Sequence, residues 1–161
     1  MASRPCPDRL LLIGGTMKEL AGGGPMLLLG ALLVGGCGMP DAASITGLHF
    51  TTSSAPGNAP LTNVDVTLTD PGPSRAIYQA TLALPDFPSG TLHCPVDLGY
   101  RHTIVFMSGQ DAAVTATLTV GGCRDATISG ASSARQTNDA YWALLAQDLG
   151  VEESTLFSIS P

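Results

Sequence analysis

The chain has 161 residues, enough for one domain, and carries a formal net charge of −6 with only 12% charged residues. From Cys37 onward it holds four arginines, no lysine and eleven Asp and Glu residues. Such a surface cannot neutralise phosphates, which argues against nucleic-acid binding. It also cannot adhere electrostatically to anionic lipid, so any membrane attachment must be apolar or covalent.

An uncharged apolar run lies near the start of the chain, PMLLLGALLVGGCGMP at residues 25–40. Its apolar part is about 14 residues long, whereas a membrane-spanning helix needs roughly 20. The length and the mildly positive stretch before it are typical of a secretory signal. Pro25 and the glycines in the run oppose a buried helix, because glycine is costly inside helices. The sequence therefore predicts export.

The run ends in Val34-Gly35-Gly36-Cys37. This pattern resembles the lipobox of bacterial lipoproteins, an aliphatic residue and two small residues before a cysteine. The resemblance implies a diacylglycerol thioether on the Cys37 sulfur and cleavage between Gly36 and Cys37. A leader of 36 residues is long, and a start at Met17 would give a leader of ordinary length.

These features predict the domain organisation. Residues 1–36 are a signal peptide, 37–44 a short tether, and 45–161 a single β-rich extracytoplasmic domain. At about 3.5 Å per residue the tether reaches roughly 25 Å. We expect the partner of lipidated Cys37 to be the bilayer, with the domain held close to the extracytoplasmic face of the cell membrane.

Six segments of the mature chain are predicted to be strands. Most alternate apolar and polar side chains with a period of two, as half-buried strands do, and threonine fills many outward positions. The expected fold is mainly β or α+β, a small antiparallel sheet or sandwich of five or six strands with one wet face. Intervening stretches such as DPGPS at residues 70–74 indicate turns. The predicted strands are 45–52, 64–69, 78–84, 100–107, 113–120 and a short sixth at 126–129.

Four cysteines are present, and two remain once Cys6 is assigned to the leader and Cys37 to lipid. In an oxidising compartment Cys94 and Cys123 are expected to pair. Chain-entropy arguments give that disulfide about 3.5 kcal/mol of stabilisation. The alternative is a metal site of Cys94 with His93 and His102, which lacks the paired spacings of zinc sites.

The C-terminal part changes to a helical period. TNDAYWALLAQDLG predicts a helix of about 12 residues, with Thr137 or Asn138 as N-cap and Gly150 as its end. Trp142 and Leu145 lie on one stripe of this helix with Leu149. Because a sheet needs its apolar face covered, the stripe is predicted to pack on the sheet, with Trp142 as a core residue.

No catalytic motif stands out. The serines occur in no G-x-S-x-G or S-x-x-K pattern, and no glycine-rich loop opens a helix, so no nucleotide cofactor is predicted. His102 shares a face with apolar neighbours and is predicted to be packed and hydrogen-bonded, while His49 lies in a predicted strand. Single carboxylates are scattered over strands and turns, where they usually serve turn chemistry: Asp65, Asp70, Asp86, Asp97 and Asp111.

Residues 92–150 resemble uncharacterised exported domains of high-GC bacteria. A C-P turn, a strand, a G-C pair and a W-x-x-L-x-x-x-L-G tail follow in the same order, and the resemblance implies no activity. The sequence therefore favours a lipoprotein with a non-catalytic binding or structural role in the cell envelope, with an envelope protein or a glycan as partner. Two alternatives remain open: a small anchored hydrolase using an acidic pair, and a carrier of metal or another ligand.

Overall fold

The computed structural model describes residues 38–158, which form one six-stranded sheet and two α-helices. Residues 1–37 and 159–161 lie outside the described part. In chain order the elements are β1 (Gly47–Ser53), β2 (Asp65–Leu68), α1 (Pro71–Ala83), β3 (Arg101–Ser108), β4 (Asp111–Thr119), β5 (Asp125–Ile128), β6 (Arg135–Gln136) and α2 (Asp139–Leu149). Short 3-10 turns at Ala42–Ser44 and Glu153–Leu156 flank them.

The sheet is antiparallel throughout, in the order β2-β1-β3-β4-β5-β6. Both helices pack on one face of it. Tyr78 of α1 meets Phe106 of β3 with ring centroids 5.0 Å apart, and Trp142 of α2 meets His102 at 5.7 Å. This architecture confirms the predicted mainly β or α+β class.

The opposite face bears threonine, as predicted, and neither helix packs on it. Register places Thr51, Thr103, Thr117 and Thr127 side by side across four neighbouring strands. Threonine suits this position because its methyl group packs on the pleated surface while its hydroxyl stays with water. The row is the wet side of a one-sided antiparallel sheet.

The segment at residues 78–84 is helical, so the prediction of a strand there was wrong. Asp70 caps the helix by accepting a hydrogen bond from the Gly72 amide (2.8 Å), and Pro71 occupies the first helical turn. Proline is favourable there because its fixed φ matches the helix and its missing N–H would be unpaired anyway. The predicted turn at 70–74 is therefore the start of α1. The predicted strand at 126–129 is β5, and the sheet gains its sixth strand from β6, which was not predicted.

The C-terminal helix was predicted correctly. Asn138 is its N-cap, with the side chain accepting from the Tyr141 amide at 2.9 Å. Gly150 ends the helix in the left-handed conformation with φ of 70°. Trp142 is fully buried, as predicted, and its indole N–H donates to Thr137 Oγ1 at 3.1 Å.

Residues 38–44, the described part of the predicted tether at 37–44, are held by the domain from Met39 onward. Met39 packs against the core, and the Tyr78 hydroxyl donates to the Pro40 carbonyl at 2.9 Å. Arg75 of α1 donates to the carbonyls of Ala43 and Ile45 at 2.8 and 2.9 Å. Within this segment only Gly38 lies before Met39, the first residue that packs against the core.

Candidate binding site

The exposed large apolar side chains of the described domain all lie in one stretch, residues 91–99, here called the tip loop. Leu92 is 41% exposed, Val96 77% and Leu98 47%. The loop is neither helix nor strand and connects α1 to β3 at the end of the sheet where β4 finishes. Large apolar side chains exposed within so short a segment are unfavourable in water, and an exposed apolar segment of this kind is a candidate binding surface.

A disulfide ties the tip loop to the sheet. Cys94 is bonded to Cys123, which follows β4, with the two Cα atoms 4.9 Å apart. This pairing was predicted from the cysteine count, and the Cα separation is within the ordinary range for disulfides. The bond constrains the loop two residues before its most exposed side chain, Val96.

Two glycines after β4 form a surface on which the tip loop rests. A Cβ on Gly121 would lie 3.5 Å from the Val96 carbonyl oxygen, and one on Gly122 would lie 3.3 Å from the Asp97 Cβ. Gly122 also has φ of +61°, which side-chain-bearing residues rarely adopt. The backbone of the tip loop therefore lies directly against the residues that follow β4.

An ion pair closes the C-terminal side of the tip loop. Both carboxylate oxygens of Asp97 accept from the Arg101 guanidinium, at 3.0 and 2.7 Å, and the Gly99 amide donates to Asp97 Oδ1 at 2.8 Å. The hydrogen bond from Arg101, followed by that from Gly99, lowers the pKa of Asp97. The carboxylate nearest the apolar side chains is thus held charged and paired.

A neighbouring segment, residues 54–60, here called the supporting loop, touches the same region. The Asn58 side-chain amide donates to the Leu98 carbonyl, 40 residues away in sequence. A Cβ on Gly99 would lie 2.6 Å from the Ala55 Cβ, so the two loops meet at a position where only glycine fits. The tip loop therefore has no regular secondary structure but is restrained on both sides of Val96.

The carboxylates considered for catalysis do not converge. Asp65 binds His49 Nε2 at 2.8 Å on the open sheet face. Asp86 pairs with Arg135 at 2.7 Å and accepts from Ser133. Asp70 caps α1 and Asp97 restrains the tip loop, while Asp111 begins β4 next to the β3–β4 turn. Four of the five thus have local partners that account for them.

The alternative metal ligands are not brought together either. Cys94 is in the disulfide, and His102 is fully buried between the rings of Phe50 and Trp142. His102 Nε2 lies 2.8 Å from the Leu156 carbonyl, the packed and hydrogen-bonded state predicted for it. Within residues 38–158 no three His, Cys, Asp or Glu side chains are arranged to hold a metal ion.

A shallow groove of about 310 Å³ runs between the two helices. Its lining is mostly alanine and leucine, with the Asn138 cap and the buried Tyr141 at one side. Burial raises the pKa of the Tyr141 hydroxyl well above its usual range, although that hydroxyl is hydrogen-bonded to Thr81 at 2.8 Å. The groove has no charged lining residue and presents no converging reactive groups.

The predicted lipidation residue Cys37 and the cleavage site after Gly36 lie outside the described residues. Neither helix in the described part is long and apolar enough to cross a bilayer. Comparisons with protein-family models, curated proteins and solved structures found no match for this chain. The tip loop is therefore the feature of the described domain that most resembles a binding site.

The sequence itself contains a signal for this site. Leu92, Cys94, Val96 and Leu98 alternate like a strand, but Pro95 interrupts the run. Proline lacks the N–H of a ladder hydrogen bond and is confined to strand edges and loops. Apolar residues that alternate around a proline and a disulfide cysteine therefore indicate a row of side chains that is not buried by pairing with another strand.

Proposed function

We propose that this protein is a membrane-anchored extracytoplasmic lipoprotein whose domain binds a partner and performs no catalysis of its own. The anchoring part is supported by the apolar run and by Val34-Gly35-Gly36-Cys37. The Cys94–Cys123 bond in the structure is consistent with export, because stable disulfides are characteristic of oxidising compartments.

The observation that carries the binding role is the restrained tip loop with Val96 77% exposed. A disulfide, a glycine surface and an ion pair hold a segment whose side chains contribute nothing to the core. Fixing a loop in advance lowers the entropy lost on binding, so restraint of an exposed apolar segment favours recognition. The patch is uncharged apart from the Asp97–Arg101 pair, as the centre of a protein interface usually is.

We take the partner of this loop to be a protein with a cleft for an extended peptide and an apolar pocket, as the substrate site of an endopeptidase has. Pro95 fixes its own φ and keeps Cys94 out of the helical region, so the chain enters Val96 in an open conformation. An endopeptidase selects substrates largely through one side chain in a specificity pocket, a role that Val96 is placed to fill. Three side chains alone cover far less than the ~800 Å² per partner of a standard interface, so backbone contacts along a cleft must supply the rest.

The binding role is tested with purified protein against a panel of secreted endopeptidases that prefer apolar residues. We expect at least one to be inhibited or bound by the wild type, and Val96→Asp to abolish the effect. Thr127→Asp, an exposed change on the open sheet face, is the matched control and should leave it intact. The proposal fails if no peptidase is affected by the wild type, or if Val96→Asp and Thr127→Asp act alike.

The anchoring role is tested by intact mass of the protein from a bacterial membrane fraction. We expect a chain that begins at Cys37 and carries a diacylglycerol group, and release from the membrane for Cys37→Ala. A full-length, unlipidated chain in the soluble fraction would overturn this part of the proposal without bearing on the tip loop.

A further inference from the structure

We propose that Asn58 on the supporting loop is a positioning residue for the tip loop, which keeps the backbone on the C-terminal side of Val96 in its binding conformation. This inference rests on the proposed function, since it concerns the same site. Two contacts carry it: the bond from the Asn58 side-chain amide to the Leu98 carbonyl, and the packing of Ala55 against Gly99.

The two sides of Val96 are held by different means. On its N-terminal side, the covalent bond at Cys94 fixes the chain to the end of β4. On its C-terminal side no covalent tie exists, and Asp97 is held by a salt bridge whose partners are 32% and 41% exposed. Surface ion pairs of this kind are weak and screened by salt. The Asn58 bond restrains the residue that follows Asp97, where the restraint is otherwise weakest.

The supporting loop is itself ordered by contacts of its own. The Leu61 amide donates to Ser54 Oγ at 3.0 Å, and the Asn58 amide donates to the Ala55 carbonyl at 3.2 Å. These bonds form a compact turn that points the Asn58 side chain across to Leu98. The turn touches the tip loop again through Ala55, because Gly99 has no Cβ there and adopts φ of +74°.

Asn58 is exposed and adds nothing to the core, so its replacement should change the free energy of unfolding very little. A positioning role predicts a local effect. Without the amide donor the Leu98 carbonyl returns to water, and residues 97–99 become free to leave the binding conformation. Losing one hydrogen bond of ordinary strength corresponds to about a fivefold to tenfold weaker partner binding.

The test uses Asn58→Asp, which keeps the shape of the side chain but removes its N–H donors, and Asn58→Ala. Asn63→Ala, an exposed asparagine next to β2, is the matched control. The first readout needs no partner and is the hydrogen-exchange rate of the Gly99 amide, which donates to Asp97 Oδ1. The variants are compared under conditions where the urea midpoint of unfolding is unchanged. Relative to the wild type, we expect exchange to be about fivefold or more faster in both Asn58 variants and unchanged in Asn63→Ala.

The second readout is the dissociation constant for a peptidase that the wild type binds. Weaker binding by about fivefold to tenfold in Asn58→Asp, with Asn63→Ala unchanged, supports the positioning role. Unchanged exchange at Gly99 in both Asn58 variants overturns it, as does unchanged affinity when exchange has quickened. A wild type that binds no peptidase overturns the proposed function, while the exchange result still decides whether Asn58 holds the loop.

Discussion

Acid should destabilise this domain through one buried histidine. His102 is fully buried, and Nε2–H donates to the Leu156 carbonyl while Nδ1 has no hydrogen-bond partner in the described residues. Burial lowers the pKa of His102 from its usual 6.5 to about 4, although the Leu156 carbonyl opposes that shift. The imidazole of His102 therefore binds a proton at a lower pH in the folded domain than in the unfolded chain.

The sign and size follow from proton linkage. Well above pH 6.5 the imidazole is neutral in both states and has no effect. As the pH falls below that value the unfolded chain gains a proton and the folded domain does not, so the free energy of unfolding decreases. The loss reaches about 2 kcal/mol at pH 5 and levels off at ~3 kcal/mol below pH 4, where the folded state is protonated too.

The assay is urea unfolding at several pH values between 7.5 and 4.5 for the wild type and His102→Phe. Phenylalanine fills a similar volume between Phe50 and Trp142 and does not titrate. The difference in free energy between the two proteins cancels the titration of the carboxylates they share. We expect that difference to shift by about 2 kcal/mol in favour of the variant from pH 7.5 to pH 5. A difference that stays constant over this range would refute the linkage argument.

Three further changes have expected effects on unfolding free energy in urea. Replacing Cys94 and Cys123 by serine should cost about 3.5 kcal/mol, and a reductant should then have no additional effect; equal stability of the oxidised wild type and the variant would contradict this. Tyr141→Phe removes a buried hydroxyl from Thr81, whose Oγ1 keeps its bond to the Ile77 carbonyl, so the cost should be only about 1 kcal/mol. Asn138→Ala removes the N-cap of α2 and should cost about 1 kcal/mol, whereas Asn138→Asp should retain most of the stability; equal losses in the two would argue against capping.

The first five strands and the last helix were predictable because their signals are local. Residues 64–69 and 113–120 alternate cleanly, and in β4 the buried Val114, Ala116 and Leu118 follow that alternation. The helix α2 combines a cap at Asn138 with a left-handed glycine at its end, and both act within one turn. The disulfide followed from counting cysteines once the leader was set aside.

The first helix was mispredicted because one set of residues fits two periods. Tyr78, Ala80, Leu82 and Leu84 alternate as in a strand, yet Ile77, Tyr78 and Thr81 are the buried stripe of a helix. Asp70 followed by proline would have decided between them, since an N-cap before a proline in the first turn is a helix signal. Strand β6 has only two residues and exists through its pairing with β5 and the bridge between Asp86 and Arg135, so no local pattern marks it.

The candidate site likewise combines features that the sequence predicts with features that only the fold determines. Composition and the 25–40 run by themselves predicted an exported, acidic, anchored chain with one disulfide, because charge, hydropathy and cysteine number need no knowledge of the fold. Only the tertiary structure decides that Leu92, Val96 and Leu98 stay in solvent. Their alternation would suit a strand, but the sheet continues from β1 to β3 and gives them no partner. Burial of a side chain depends on what packs against it, and contacts such as that from Asn58 to Leu98, 40 residues apart, are set by the fold as a whole.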